Sequence, residues 1–302
     1  MRVNPLYIND LVGSLDATTA SQAQLTQELA SGSRVNSLSD DPVAVGENVM
    51  LSTQLGRDDT FSQTASSTQS MLQMTDSALS TVVTQLTSAV SLATQGNNGT
   101  LNASDLQAIS NQLEGIRDEV LSLANTTYLG QYIFSGSQGT TAAYTLNTTT
   151  SPAVATYQGD SGPNPGVQYL ETPNGQKIQV NLPGDQIFSA AGADVFGTLN
   201  ALIADFSSGT ASAASQADAQ SLNTALSHVT EQRVIIDNSL SRLQAAENYN
   251  QSETTQLTAS QTSLLQANVG QVATQLSTAE TQQSALSQVI ATLGKESLFN
   301  DL

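Results

Sequence analysis

The sequence has no cysteine, no tryptophan, one histidine and only 8 basic residues among 302. Without cysteine there is no disulfide framework, no thiolate nucleophile and no sulfur ligand for a metal. The lone histidine, His228, falls between Leu226 and Val229 of a helical pattern and reads as a partly exposed helix residue, not as a metal ligand or the base of a Ser-His-Asp relay. Set against 26 acidic residues, the basic shortage leaves a net charge of −18. A chain with no basic face for phosphate is a poor partner for nucleic acid or for an anionic membrane surface, so its charge reads as a solvated acidic exterior. No apolar run approaches the roughly 18 residues of a membrane-spanning helix. The opening MRVNPLYINDLVGSL lacks the continuous apolar segment and small-residue cleavage site of a cleavable signal peptide, so export, if it occurs, is expected to use another route. Gly96-Asn97-Asn98-Gly99 carries no lysine and follows a helix instead of a strand, which argues against a phosphate loop. Adjacent Asp40 and Asp41 ahead of Pro42 are helix-capping chemistry before they are a catalytic pair. No enzyme activity and no cofactor or metal are expected.

What the chain does have is helix. It is 38% apolar and 4% aromatic, with charged residues at only 11%, so its long helices are polar without being charged and ion-pair networks cannot be their main support. Both ends carry apolar residues at coiled-coil spacing. Near the start, Ile8, Leu15 and Leu29 fall on one seven-residue series and Leu11 and Leu25 on its partner. Near the end, Leu265, Val272, Leu286 and Leu293 make one series, with Val269, Leu276 and Ile290 making the other. Such stripes are dried only against other helices, so these twelve residues are the expected assembly and partner-binding set.

Between the ends, a first helix is expected over residues 6–30, stopping at Gly32. Pro42 suits the first position of a second helix, with Asp41 as its N-cap and Asp40 adding favourable charge at the positive end of its dipole. That helix is expected to run to about residue 94, with Gly56 a candidate bend and a seam of Phe61, Leu72, Leu79, Val82, Leu86 and Ala89. A shorter helix starts at Asn102 or Ser104 and ends near Asn125. Tyrosines and prolines then concentrate. Tyr132-Ile133-Phe134 reads as a short strand, residues 167–171 and 177–182 as a hairpin around Thr172-Pro173-Asn174-Gly175, and residues 140–151 as a mobile loop. A short helix over 195–206 and a small-residue linker over 207–215 lead into a helical pattern reaching almost to Leu298. Its seam (Leu222, Val229, Ile236, Leu243, Leu257, Leu264) slips by one residue at Leu264–Leu265, which predicts a joint there; polar residues 248–255 are a second candidate joint.

The expected architecture is mainly α with a small β-rich insert, the long N- and C-terminal helices pairing as a coiled-coil-like bundle. In domains, residues 1–41 form a terminal helix and spoke pairing with 255–302, residues 42–129 and 193–254 form a helical core, and 130–192 form the β-rich outer insert, a surface module with its ends close together.

ELASGSRVNSLSDDPVA at 28–44 resembles the signature that follows the first helix of flagellin-like proteins, and the Pro directly after the Asp pair is more similar to the hook-associated protein 3 branch than to flagellin. GQYIFSG at 130–136, YQGD at 157–160, VNLPGDQIF at 180–188 and the ending ESLFNDL at 296–302 resemble segments of that branch. The resemblance implies a flagellin-like fold and a non-enzymatic structural subunit at the hook–filament junction, with Arg34, Asn36, Asp40, Asp41 and Pro42 as the spoke motif between helices. Arg34 is expected to anchor that spoke by pairing with Asp40, Asp41 or a neighbouring subunit. The implied partners are copies of the chain in a ring, another hook-associated junction protein, flagellin, and a cytoplasmic export chaperone at the C-terminal helix. The implied location is extracellular, after flagellar type III export. Alternatives are flagellin itself and, further off, a coiled-coil adhesin or other interaction protein.

Overall fold

The structure, a computed structural model, describes residues 5–160 and 166–299, with residues 5, 6, 8 and 294–299 described by their backbone alone. Its helices are α1 (Pro5–Ser31), α2 (Pro42–Gly96), α3 (Ala103–Ala124), α4 (Gly184–Phe188), α5 (Val195–Ser207), α6 (Ala213–Leu265) and α7 (Val269–Phe299). Four antiparallel two-stranded ribbons complete it: β1 (Thr127–Tyr128) with β2 (Gln131–Tyr132), β3 (Tyr144–Asn147) with β4 (Val154–Tyr157), β5 (Tyr169–Glu171) with β6 (Lys177–Gln179), and β7 (Ser189–Ala190) with β8 (Ala193–Asp194). The chain is mainly α with a small strand-bearing segment, and it divides into one unit of residues 1–57 and 252–302 and another of 58–251.

In the first unit α1 packs against α7. α1 ends where Gly32 takes φ 67°, a left-handed conformation that costs glycine little, and its N–H reaches Glu28 O at 2.9 Å. α2 begins at Pro42, where Asp41 Oδ1 accepts the Ala44 N–H at 3.0 Å, and runs on through Gly56 without a break. The joint expected near Leu264 lies at residues 266–268, between α6 and α7, and Asn268 Oδ1 caps the new helix by accepting Gln271 N–H at 3.2 Å. The second candidate joint, 248–255, contains the boundary between the two units, at 251/252, although α6 is helical on both sides of it. Asn250, in the second unit, is buried there and donates to Asp58 O at 2.9 Å, so this polar stretch is a hydrogen-bonded station in a continuous helix.

The second unit holds the core. The α2 seam (Phe61, Leu72, Leu79, Val82, Leu86, Ala89) is buried throughout, as are Leu222, Val229, Ile236 and Leu243 on α6. Between them α3 supplies Leu106, Ile109, Leu113 and Val120, and α5 supplies Leu199, Leu202, Ile203 and Phe206. Burying this much aliphatic surface at about 25 cal/mol per Å² is the main force holding the unit. α3 starts with a reciprocal capping box between Asn102 and Asp105.

Two expectations for the tyrosine-rich segment need correction. Residues 140–151 are not a loop throughout, because Tyr144–Asn147 form β3 and pair with Val154–Tyr157. The threonines that suggested mobility also suit a ribbon strand, where β-branched side chains pack well. The strand at Tyr132-Ile133-Phe134 stops at Tyr132, since Ile133 and Phe134 turn into the core. The segment packs on the helical core. Tyr144, Ile178 and Leu182 belong to the same buried cluster as the helical residues, and the rings of Phe134, Tyr144, Tyr157, Phe188 and Phe196 stack with centroids 4.9–6.0 Å apart.

Gly96, the last residue of α2, shows how closely this core is fitted. A Cβ there would come within 2.5 Å of the buried Phe206 ring. Gly96→Ala is expected to destabilise the chain by about 1–3 kcal/mol, the usual cost of overpacking, read as a lower urea midpoint with unchanged slope. An unchanged midpoint would mean that Phe206 has room to retreat.

Candidate assembly surfaces

The spoke is built from two chain breaks lying side by side. The N–H of Arg34 reaches Leu265 O at 2.7 Å, the N–H of Ala267 reaches Gly32 O at 2.9 Å, and Ser33 and Gln266 form an antiparallel bridge. Ser33 Oγ adds a bond to Leu265 O at 3.2 Å. Helix ends leave carbonyls without intrahelical partners, and these contacts give the last carbonyl of α6, Leu265 O, two donors.

Arg34 completes the arrangement with both arms of its guanidinium. Nη1 pairs with Asp41 Oδ2 at 2.9 Å and Nη2 donates to Leu264 O at 3.2 Å. The partner is thus Asp41, not Asp40. With side chains 46% and 30% exposed, this ion pair contributes little stability by itself. Its effect is geometric, tying the cap of α2 to the C-terminal end of α6, where the dipole favours a cation. Asp40 works within the loop, accepting the Ser37 hydroxyl at 2.7 Å and the N–H groups of Ser37 and Asn36 at 2.8 and 3.0 Å. Asn36 Nδ2 closes the turn on Ser33 O at 2.9 Å.

These bonds favour the charged forms. The Ser37 hydroxyl and then the backbone N–H groups hold Asp40 below the ordinary 3.8, and the Ala44 N–H followed by Arg34 does the same for Asp41. A carboxyl lowered on folding stabilises above its unfolded value and loses that contribution as pH falls through its folded one. The spoke is therefore expected to be fully formed at neutral pH and to loosen only below the ordinary value of 3.8. Exchange protection of the Asn36 and Ser37 amides, corrected for intrinsic rate, should fall there; protection that is flat into strong acid would contradict the assignment.

Of the twelve predicted helix residues, Leu11, Leu15 and Leu25 on α1 are half-buried, as are Leu276, Leu286, Ile290 and Leu293 on α7, with Val272 buried. Leu265, at the end of α6, is also half-buried and supplies the carbonyl used by the spoke. Leu29 and Val269 are exposed, at 37% and 55%, and lie off the α1/α7 seam. The side chain of Ile8 is outside the described residues. Sequence reading by apolar spacing passed over polar members of the same faces: Thr18 and Gln22 on α1, and Gln283 on α7, which bonds Thr19 Oγ1 at 3.3 Å. Their heptad positions were the available signal. It also passed over Leu38, Val43, Val49 and Met50, all exposed around the start of α2.

In the second unit the segments at 130–136, 157–160 and 180–188 meet in one knot. Phe134 O accepts the Gly184 N–H at 2.7 Å and the Tyr157 hydroxyl at 3.1 Å, while Tyr144 donates to Gly184 O at 2.9 Å. Asp160 Oδ2 accepts the Ser137 N–H at 2.6 Å. Burial raises the Tyr144 and Tyr157 hydroxyls well above their ordinary 10.0, which keeps them neutral donors. The only described non-glycine residue at positive φ is nearby. Leu129 (φ 51°), 83% exposed, shares a two-residue turn with Gly130 (φ 80°). A primed turn favours Asn or Gly at that place. Leu129→Asn is expected to raise stability by about 0.5–1 kcal/mol, part of the 1–2 kcal/mol that left-handed backbone costs an ordinary side chain. A lower thermal midpoint would show that Leu129 has a contact within the chain.

His228 is half-buried, with Nε2 2.7 Å from Gln186 O, so it joins α6 to α4. Among the described residues no group of three or more His, Cys, Asp or Glu could hold a metal, and no helix is long and apolar enough to cross a membrane.

The model of the bacterial flagellin N-terminal helical region matches residues 8–139. Flagellar hook-associated protein 3 of Salmonella typhimurium is 32% identical over 127 residues, which span 41% of this chain and 40% of that protein's own length. Flagellin A of Vibrio cholerae is 29% identical over 149 residues, 49% of this chain and 37% of that protein. Among solved structures, flagellar hook associated protein-3 of Legionella pneumophila superposes with a TM-score of 0.61 at 15% identity, covering 72% of this chain and 98% of that one, a likeness of fold. Residues 8–139 are thus similar to the flagellin N-terminal helical region, the chain spans about two fifths of the length of the hook-associated proteins 3 that it matches, and the solved structure adds a likeness of fold.

Proposed function

We propose that the chain is a structural subunit of the bacterial flagellum, a hook–filament junction protein that joins the hook side to the flagellin filament by helix–helix assembly. The observation that carries this reading is the terminal helix pair. α1 and α7 cover one stripe on each other yet leave Val12, Leu29, Val269 and Val289 between 37% and 55% exposed on other faces. Large apolar side chains repeated outside a helix pair are what further helices would cover. The exposed Leu38, Val43, Val49 and Met50 extend the same character to the spoke and the start of α2. The junction assignment, in preference to filament subunit, is supported by the 32% identity to a hook-associated protein 3.

In this reading copies of the chain form a ring that meets another hook-associated protein on one side and flagellin on the other. The subunit works outside the cell after flagellar type III export, and a chaperone holds the C-terminal helix in the cytoplasm beforehand. The spoke motif of Arg34, Asn36, Asp40, Asp41 and Pro42 sets the terminal pair on α2 and α6.

The test is a deletion strain. It should bear hooks without filaments while releasing flagellin monomers into the medium. Normal filaments on the deletion strain would refute the reading, and hooks without filaments and without released flagellin would point to a filament subunit.

A further inference from the structure

The chain sets an asparagine directly before a glycine at Asn98-Gly99, in the turn between α2 and α3, and at Asn174-Gly175, in the turn between β5 and β6. In such a dipeptide the glycine nitrogen can attack the asparagine side-chain carbonyl carbon, because no Cβ on the glycine blocks the approach. The new C–N bond closes a succinimide ring, and the side-chain nitrogen leaves as ammonia. Water then opens the ring at either carbonyl, giving aspartate or isoaspartate. Ring closure needs a carboxamide free to turn and a glycine N–H free to lose its proton.

Exposure does not separate the two places, since both asparagines and both glycines are exposed. Backbone class does not either, with φ 69° at Gly99 and 80° at Gly175. Hydrogen bonding does. Asn174 Oδ1 accepts the Thr172 hydroxyl and the Gln176 N–H, the latter at 3.4 Å. The Gly175 N–H donates to Thr172 O at 2.8 Å, and Thr172 itself is buried. Both reacting groups are thus held by the turn. Asn98 is tied only through its backbone N–H, to Gln95 O at 3.2 Å. Its carboxamide and the Gly99 N–H bond no described residue, and a Cβ built on Gly99 would meet nothing within 4 Å. Asn97 anchors this turn from its other side, donating to Ser215 O at 3.0 Å and accepting the Ser215 hydroxyl at 2.6 Å. Asn98 therefore sits on the free edge of a fixed turn.

We propose that Asn98 is a site of spontaneous deamidation in the folded chain, while the bonds of its turn protect Asn174. The aspartate product sets a carboxylate at the C-terminal end of α2, where the dipole disfavours an anion. The isoaspartate product adds a methylene to the backbone that joins α2 to α3. The modification needs no enzyme, and it proceeds whether or not the chain sits at a flagellar junction.

Incubation of the purified full-length chain at mildly alkaline pH, with peptide mass spectrometry at both asparagines, tests it. Ion exchange follows the same event, because each conversion adds a negative charge. The Asn98 peptide should convert first, within about tenfold of its rate in the urea-unfolded chain, as expected for a segment that needs no opening. The Asn174 peptide of the folded chain should lag it by about tenfold or more, since its turn bonds must first open. In urea the two rates should converge, both places then being unstructured. Asn98→Ser should remove the first conversion and leave the second unchanged. The proposal is overturned if the two places convert equally in the folded chain, if Asn174 converts first, or if Asn98 stays intact when folded while it converts in urea.

Discussion

Leu276→Asp and, separately, Leu15→Asp will abolish incorporation into flagella while leaving the residue 58–251 unit folded. Both leucines are half-buried on the stripes that α1 and α7 present to each other. Closing that seam over a carboxylate takes a charge out of water with no partner, a cost of several kcal/mol that a two-helix seam cannot absorb. The core lies in the other unit and shares neither residue, so the thermal transition of the purified chain should move by less than about 0.5 kcal/mol equivalent, the range of changes that touch no core. Incorporation is read by complementing a deletion strain and counting filaments. Wild-type filament numbers from either variant would show that these stripes are not an assembly surface.

Phe188→Ala should have the largest effect on folding. The ring is fully buried and meets Phe134 edge-on at 5.5 Å, Tyr144 at 5.9 Å and Phe196 at 6.0 Å. Removing it loses transfer free energy and leaves a cavity, together about 3–5 kcal/mol. Against a typical total of about 5–15 kcal/mol, that is a large share of the chain's stability. Urea unfolding should show the midpoint falling steeply. Because the ring ties the ribbons to α4 and α5, a loss under about 1 kcal/mol would mean that this knot folds independently of the helical core.

That second result bears on what could be read from the sequence. Helical period is a strong signal, and it located the buried seam of α2 and the first four residues of the α6 seam, because these stripes press on the same core, while Leu257 and Leu264 lie outside it and are half-buried. The break between α6 and α7 was legible as a one-residue slip in the apolar series. The cap at Asp41-Pro42 was legible from capping chemistry. The ribbons were less so, since strands of two to four residues carry almost no periodicity. The anchoring of the tyrosine-rich segment in the helical core was hidden for another reason. Proline, glycine and threonine content reports backbone conformation, while the burial of Tyr144, Ile178 and Leu182 is decided by contacts between residues distant in sequence. At the assembly surfaces, apolar spacing marked the faces but not their polar members. Gln22 and Gln283 occupy seam positions that a search for leucines steps over. Arg34 could be singled out as a lone charge in a conspicuous loop, but the choice between Asp40 and Asp41 depended on which carboxyl the Ser37 turn had already engaged.

The position of the chain along a flagellum tests the central claim most directly. An epitope tag placed after Thr149, in the exposed turn between β3 and β4, avoids every buried residue of the knot. Immunogold electron microscopy of the tagged, motile strain should place label in a narrow band at the boundary between hook and filament, in a few copies per flagellum. Label distributed along the whole filament would make the chain a filament subunit, and label absent from intact flagella would remove it from the structure altogether.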